Sequence, residues 1–211
     1  MTGLGPPATL RGMVTIVDYG SGNLRSVQKA FEKLGTPARI TDDPQVVAES
    51  ERVVLPGVGA FGDAMRALRD RGLVEPIVAH VRAEKPFFGI CMGLQLLFET
   101  GLEGGRHEGL GLLPGEVVRF DLPAGMKVPH MGWNTVQWRD GASPAEGPDW
   151  YYFVHSYYAR PRDESLVAAV TDYGGEFVSA VAQGRLFATQ FHPEKSQAVG
   201  LRLLSSFIGR G

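Results

Sequence analysis

The chain is 211 residues long, carries a formal net charge of −2 and has one cysteine. That balance leaves no large surface for nucleic acid or an anionic membrane, and one cysteine builds no internal disulfide framework, which is compatible with a reducing cytosol. The longest apolar runs are far too short to span a bilayer, and the opening MTGLGPPATLRG lacks the apolar core of a signal peptide.

Residues 1–12 are expected to be a loose extension before a single domain over 13–211. MVTIVDYG (13–20) is a β-branched run ending in a glycine turn, which predicts a strand. In SGNLRSVQKAFEKLG (21–35), Leu24, Val27, Phe31 and Leu34 recur at helical spacing and Gly35 supplies the stop. PARIT (37–41) and ERVVLPG (51–57) predict two more strands, the second running into the glycine-rich turn PGVGAFG (56–62). DAMRALRDRG (63–72) and VEPIVAHVRAE (74–84) predict helices, with Pro76 tolerated in the first turn of the second. PFFGI (86–90) predicts a strand and MGLQLLFETG (92–101) the helix after it.

This βαβα order predicts an α/β fold of three α/β/α layers around a mostly parallel central sheet. The last third changes character. GEVVRF (115–120), VPHMGWNTVQWR (128–139), WYYFVHSYYA (150–159), SLVAAVTDYGG (165–175), FVSAVAQG (177–184) and RLFATQFHP (185–193) predict antiparallel strands added to that core. GASPAEGPD (141–149) reads as a polar loop within the domain, and SQAVGLRLLSSFIGR (196–210) as a closing helix.

Sites in open parallel sheets form at the carboxyl ends of strands. Four loops meet that condition: DYGSGN, PGVGAFG, GICMG and QFHPEKS. GICMG has the G-x-nucleophile-x-G pattern of a strand-to-helix elbow, with Cys91 at the tight turn. At a helix N-terminus the macrodipole and free N–H groups favour a thiolate. The Met92 N–H would face an oxyanion formed there. On its own the pattern leaves two readings, nucleophile or small buried hydrophobe.

A nucleophile needs a base and a group that orients it. Of the five histidines, His80 and His107 read as structural or solvent-facing, and His130 and His155 lie in strand-like runs. His192, in HPE after an apolar strand, is the strongest candidate. If the segment stays extended, Glu194 shares its face, and Pro193 biases His192 toward that geometry. HPE by itself is equally a surface turn. For a metal there is no second cysteine and no H-x-x-x-H or C-x-x-C spacing; YGSGNLRS lacks the full dinucleotide fingerprint and the Walker lysine.

Elbow cysteine and distant HPE together resemble the class I (triad) glutamine amidotransferases. The resemblance implies that Cys91 attacks the side-chain amide of glutamine, that His192 acts as base and then acid, that Glu194 orients it, and that Gln95 contacts the substrate. Attack forms a glutamyl thioester and releases ammonia, and water then yields glutamate. DYGSGNLRSV, LPGVGAFGDAM, GICMGLQLLF, PHMGWN, YFVHSYY and TQFHPEKSQ, in this order, are similar to the glutaminase subunits of imidazole glycerol phosphate synthases, of histidine biosynthesis. That likeness covers nearly everything from Met13 to the C-terminus, the 141–149 loop excepted.

It implies an oxyanion strand at Gly57, Val58 and Gly59, with Gly57 also contacting glutamine. It implies backbone contacts to the substrate's α-carboxylate and amine from Ser156 and Tyr157. Asn23, Met131, Trp133 and Lys195 would face the partner or the ammonia passage. The implied partner is a TIM-barrel cyclase subunit, joined as a heterodimer in the cytoplasm. It combines the ammonia with N′-phosphoribulosyl-formimino-aminoimidazole-carboxamide ribonucleotide to give imidazole glycerol phosphate and aminoimidazole carboxamide ribonucleotide. No cofactor and no metal are implied. The residues alone leave bland alternatives: PGVG as a plain turn, VHSYY as a buried aromatic strand, Trp133 as core filler and Lys195 as a surface charge. At the level of function, a subunit serving another synthase and a non-catalytic binding module remain.

Overall fold

The computed structural model describes residues 12–139 and 149–209. In chain order the elements are β1 (Val14–Val17), α1 (Leu24–Lys33), β2 (Ala38–Thr41), α2 (Pro44–Glu49), β3 (Arg52–Gly57), α3 (Phe61–Asp70), α4 (Val74–Arg82), β4 (Phe87–Cys91) and the single helical turn α5 (Met92–Gln95). There follow β5 (Phe98–Gly101), β6 (His107–Glu108), β7 (Leu113–Arg119), β8 (His130–Trp138), β9 (Asp149–His155) and β10 (Tyr157–Pro161). The chain closes with β11 (Val167–Asp172), β12 (Glu176–Gln183), β13 (Leu186–Thr189) and α6 (Gln197–Gly209).

A nine-stranded sheet runs in the order β2-β1-β3-β4-β13-β12-β11-β8-β9. The first five strands are mutually parallel and the rest antiparallel. The inner parallel strands β1, β3, β4 and β13 are buried on both faces, as sheets covered by helices are, while the edge strand β2 is half-buried. Successive side chains alternate between two cores. Val53, Leu55 and Phe87 join Phe61, Met65, Leu68 and Ile77 of α3 and α4. Val54 and Phe88 join Phe31 of α1 and Leu203, Leu204 and Phe207 of α6. Phe88 packs its ring against Phe187 and Phe207 at 5.5 and 5.4 Å; burying each such ring contributes about 1.5–3 kcal/mol. These two cores make the expected three-layer α/β/α arrangement. Among the described residues no helix is long and apolar enough to cross a membrane.

Four expectations need correction, besides that of RLFATQFHP as an added antiparallel strand: β13 lies inside the parallel half, parallel beside β4, and only its β12 pairing is antiparallel. The helix expected over 92–101 is one turn, and its second half is strand β5. Leu94 and Leu96–Phe98 are all fully buried, and a short run that is apolar all round carries no period to separate helix from strand. Tertiary packing decides: Gly101 lies flat on the Phe61 ring, where a Cβ would come within 2.4 Å. Second, β5 belongs to a separate four-stranded sheet, β10-β7-β5-β6, that the pattern did not announce. Third, the run 150–159 is two strands in two sheets, broken at Ser156. Fourth, α2 was not anticipated, although Asp43 caps it by accepting from Gln45 N at 2.8 Å and Pro44 occupies its first position. The 1–12 extension (to residue 11), the 141–149 loop (to residue 148) and Arg210 lie outside the described residues.

Candidate active site

The carboxyl ends of β1, β3, β4 and β13 carry the four loops expected to hold the chemistry. Cys91 ends β4, between β3 and β13. Its backbone sits at φ +55°, ψ −105°, a left-handed conformation that costs a non-glycine residue on the order of 1–3 kcal/mol. The flanking glycines make this elbow buildable. A Cβ on Gly93 would stand 1.7 Å from the Leu55 carbonyl oxygen, and one on Gly89 2.8 Å from the Gly93 oxygen. Because α5 has four residues, the expected macrodipole reduces to the free N–H groups of one turn.

His192 and Glu194 leave β13 on a segment that is not extended as expected. His192 itself is (φ −102°, ψ 95°), but Pro193–Lys195 is a 3-10 turn with the proline at its start. The carboxylate still reaches the imidazole: His192 Nδ1 donates to Glu194 Oε1 at 2.9 Å, with side chains 2% and 1% exposed. The turn is clamped from two sides. Tyr152 O accepts from His192 N at 2.9 Å, Ser196 Oγ accepts from Tyr152 N at 3.0 Å, and His192 O accepts from Ser196 Oγ at 2.6 Å. From below, α6 lies directly on it, since a Cβ on Gly200 would fall 1.9 Å from Pro193 O.

Burial alone would lower the His192 pKa. The charge of a Cys91 thiolate, the hydrogen bond that sulfur can accept, and Glu194 outweigh burial and raise it from 6.5 to about 10. His192 Nε2 is buried and makes no hydrogen bond in the resting geometry, so the charge of the sulfur carries more of this than a formed bond. With Nδ1 committed to Glu194, Nε2 is the nitrogen free to take or give a proton.

A cavity of about 320 Å³ opens beside Cys91, at the small end of the range for ligand sites. Val58, Gly59, Cys91, Met92, Gln95, Ser156 and Tyr157, all expected at the site, line it. Gly57 sits opposite Cys91 in the β3–β4 register and under the Tyr19 hydroxyl, which a Cβ would approach to 1.9 Å. The Tyr19 hydroxyl is buried with no hydrogen-bond partner, and burial, with the charge at Cys91, keeps it protonated. Ser21 Oγ donates to Val58 O at 2.8 Å, tying the 18–23 loop to the 57–59 strand. Glu103, Pro129 and Val154 also line the cavity; Pro129 and Val154 belong to PHMGWN and YFVHSYY, but nothing in those segments marks them for this cavity, because each arrives from a separate element.

His155, left open by its sequence position, is on the cavity wall and paired to His130. Its Nδ1 donates to Tyr157 O at 2.8 Å, because a carbonyl only accepts. Its Nε2 therefore accepts, at 3.0 Å, from His130 Nδ1. The His130 Nε2 that remains accepts from Asn134 Nδ2 at 3.3 Å. The chain of bonds assigns both tautomers and requires both rings neutral. Burial lowers His130 to about 4. Burial, opposed by the Tyr157 carbonyl and assisted by the His130 and His192 charges, lowers His155 to about 3.

The expected partner-facing residues separate into two places. Met131 and Trp133 share one face of β8 and are 63% and 44% exposed, so Trp133 is not core filler. They stand opposite Val154 and Tyr152 of β9. The Tyr152 ring meets Trp133 edge-on at 6.2 Å and carries the Lys195 ammonium 5.8 Å above it. Asn23 instead stands at the start of α1, where its side chain accepts from Ser26 Oγ at 2.8 Å without capping a backbone N–H, and lines a separate cavity with Asp18 and Arg25. Among the described residues, no three His, Cys, Asp or Glu side chains converge as metal ligands.

The family model for "Glutamine amidotransferase class-I" matches residues 15–208. The chain is 58% identical over 197 residues to "Imidazole glycerol phosphate synthase subunit HisH" of Rhodopirellula baltica, covering 92% of this chain and 96% of the relative. To the protein of the same description in Syntrophotalea carbinolica it is 56% identical over 203 residues, covering 92% and 98%. Among solved structures, a "glutamine amidotransferase" crystal structure superposes with a TM-score of 0.73 at 22% identity, covering 93% of this chain and 97% of the other, which shows the shared fold. The sheet order, the strained elbow and these likenesses agree: the chain belongs to the class-I glutamine amidotransferase family.

Proposed function

We propose that this chain is the glutaminase subunit of an imidazole glycerol phosphate synthase, working in histidine biosynthesis in the cytoplasm, with residues 13–211 as one amidotransferase domain. The observation that carries the chemistry is the convergence of the strained Cys91 elbow and the His192–Glu194 pair beside a cavity of about 320 Å³. The subunit role rests on relatives 56–58% identical over 92% of the chain.

In this reading Cys91 Sγ attacks the side-chain carbonyl carbon of glutamine. The C=O pair moves to oxygen, and the oxyanion meets the Met92 N–H and an N–H of the 57–59 strand. His192 delivers its Nε2 proton to the amide nitrogen, the C–N bond breaks and ammonia leaves. Water then attacks the thioester while Nε2 takes its proton, releasing glutamate and the cysteine. Glu194 holds the imidazole tautomer throughout and favours its charged form. Both Nε2 hydrogens of Gln95 are already committed, to Tyr157 O at 2.9 Å and Gln190 Oε1 at 3.0 Å. Gln95 therefore offers substrate only its carbonyl oxygen, which suits an α-ammonium group. Ammonia released into water is mostly protonated and no longer nucleophilic, so the product has use only if a partner receives it. The exposed Met131 and Trp133, with Lys195 beside them, suit a cyclase subunit docking there.

Glutamine hydrolysis by the chain alone, and with the cyclase subunit and its ribonucleotide ligand, tests the proposal. The complex should turn over glutamine orders of magnitude faster, and Cys91→Ala should abolish the activity. Undiminished hydrolysis by Cys91→Ala sinks the nucleophile assignment, and capture of a different synthase sinks the pathway.

A further inference from the structure

One side chain outside the triad also touches the sulfur. Gln190, two residues before His192 and fully buried, points its Nε2 at Cys91 Sγ from 3.7 Å. Its Oε1 accepts from Gln95 Nε2 at 3.0 Å, and Gln95 Nε2 donates its other hydrogen to Tyr157 O at 2.9 Å.

The direction of this amide relay is not a free choice. A backbone carbonyl only accepts, so the Gln95 atom at Tyr157 O must be the NH2 group. That same group faces Gln190, so the Gln190 atom meeting it must be the carbonyl oxygen. The NH2 of Gln190 is then left for the sulfur. Rotating either amide would set two oxygens or two NH2 groups against each other in a buried site, at the cost of both hydrogen bonds.

The sulfur has a second neighbour of opposite kind: Val154 O, at 4.0 Å, can accept only from the thiol form. When the proton passes to His192, that carbonyl faces a negative sulfur and its attraction is lost. The Gln190 N–H does the reverse and strengthens, as hydrogen bonds to charged acceptors do. A neutral amide is a measured choice of donor. A full cation there would hold the thiolate more tightly and cost it nucleophilicity.

We propose that Gln190 is a further catalytic residue, one that aims and steadies the Cys91 thiolate with an N–H whose direction is set, through Gln95, by the Tyr157 carbonyl. This rests on the reading of Cys91 as the nucleophile. The competing account is a buried amide that merely satisfies its own donors, and it predicts no effect on sulfur chemistry.

The chain has a single cysteine, so iodoacetamide alkylation reports Cys91 alone. The rate is followed against pH on the full chain for the wild type, Gln190→Met and Gln190→Glu. Reactivity tracks the thiolate fraction, so the midpoint of the Gln190→Met profile should lie about one pH unit higher, with alkylation about tenfold slower on the acid side of the wild-type midpoint. Gln190→Glu, of nearly the same shape, should move it further, because a carboxylate beside the sulfur opposes the thiolate. Raising the pH should recover alkylation in both, which a packing defect would not allow. In the wild type, needing no variant, the Gln190 side-chain amide resonances should move with the Cys91 titration. Profiles that superpose on the wild type, or amide resonances that ignore the titration, overturn the proposal. Glutamine hydrolysis by Cys91→Ala in the cyclase complex separates the two failures: if it persists, the nucleophile reading falls, whereas its loss alongside unmoved Gln190 profiles removes only Gln190.

Discussion

Acidification from about pH 7.5 to about pH 5 should cost this chain roughly 2–5 kcal/mol of stability, because it buries histidines that must stay neutral. His80, which donates from Nε2 to Pro86 O at 3.0 Å, is lowered by burial to about 4, against the raising effect of that bond. His130 is lowered to about 4 and His155 to about 3. All three are lowered from 6.5, so between 6.5 and 4 the unfolded chain binds protons that the folded chain refuses. The stability is complete above 6.5 and lost as the pH falls through that window. At about pH 5 each independent histidine costs about 2 kcal/mol. His130 and His155 share a hydrogen bond and titrate as a pair, so the three together cost about 4–6 kcal/mol. His192 acts with the opposite sign. Its pKa is raised to about 10, so its contribution is lost as pH rises from 6.5 through 10 and returns about 1–2 kcal/mol on acidification.

The net loss is a large share of the roughly 5–15 kcal/mol available to an ordinary domain. Urea unfolding at the two pH values, followed by tryptophan fluorescence, measures it, and histidine ring-proton resonances titrated in the folded chain identify the groups. Equal unfolding free energies at both values, or a titration near 6.5 for His80, His130 or His155, would refute the reasoning.

Replacing Glu194 by Gln keeps an acceptor for His192 Nδ1 but removes the negative charge. Turnover of the cyclase complex should fall about 10–100-fold with little change in KM; steady-state kinetics showing an unaltered turnover would remove Glu194 from its role. At the elbow, Gly93→Ala places a Cβ 1.7 Å from the Leu55 oxygen and should cost more than about 3 kcal/mol by thermal melting. Gly209→Ala meets nothing within 4 Å and should stay within about 0.5 kcal/mol. Similar melting of the two variants would mean that the elbow has room to spare.

Four of the five parallel strands, β1 to β4, were readable because each is a short β-branched or aromatic run ended by a turn, and each long helix between them repeats at helical spacing; the fifth, β13, was expected antiparallel, because only its pairing with the distant β4 makes it parallel. Leu24–Lys33 and Phe87–Cys91 are examples. The stretch 92–101 was not readable. Leu94 and Leu96–Phe98 are fully buried, so no polar face shows the period, and packing on Phe61 and pairing with β7 made half of it a strand. The α2 signal was present in Asp43 and Pro44 but short, and the break at Ser156 sits inside an unbroken aromatic run.

The same division holds at the site. Cys91 between two glycines and His192 two residues before Glu194 are local patterns, and local sterics and hydrogen bonding set what they become. Conformational strain at the elbow and the Nδ1–carboxylate bond involve neighbours at most two residues away. Gln190, His155, Val154 and Tyr19 carry no such mark. Each meets the sulfur, the cavity or Gly57 only because strands distant in sequence are set side by side by the order of the sheet. The sequence by itself determined which atoms could react. Tertiary structure alone decided which neighbours hold those atoms, because hydrogen bonding and desolvation act over a few ångströms of space and take no account of distance along the chain.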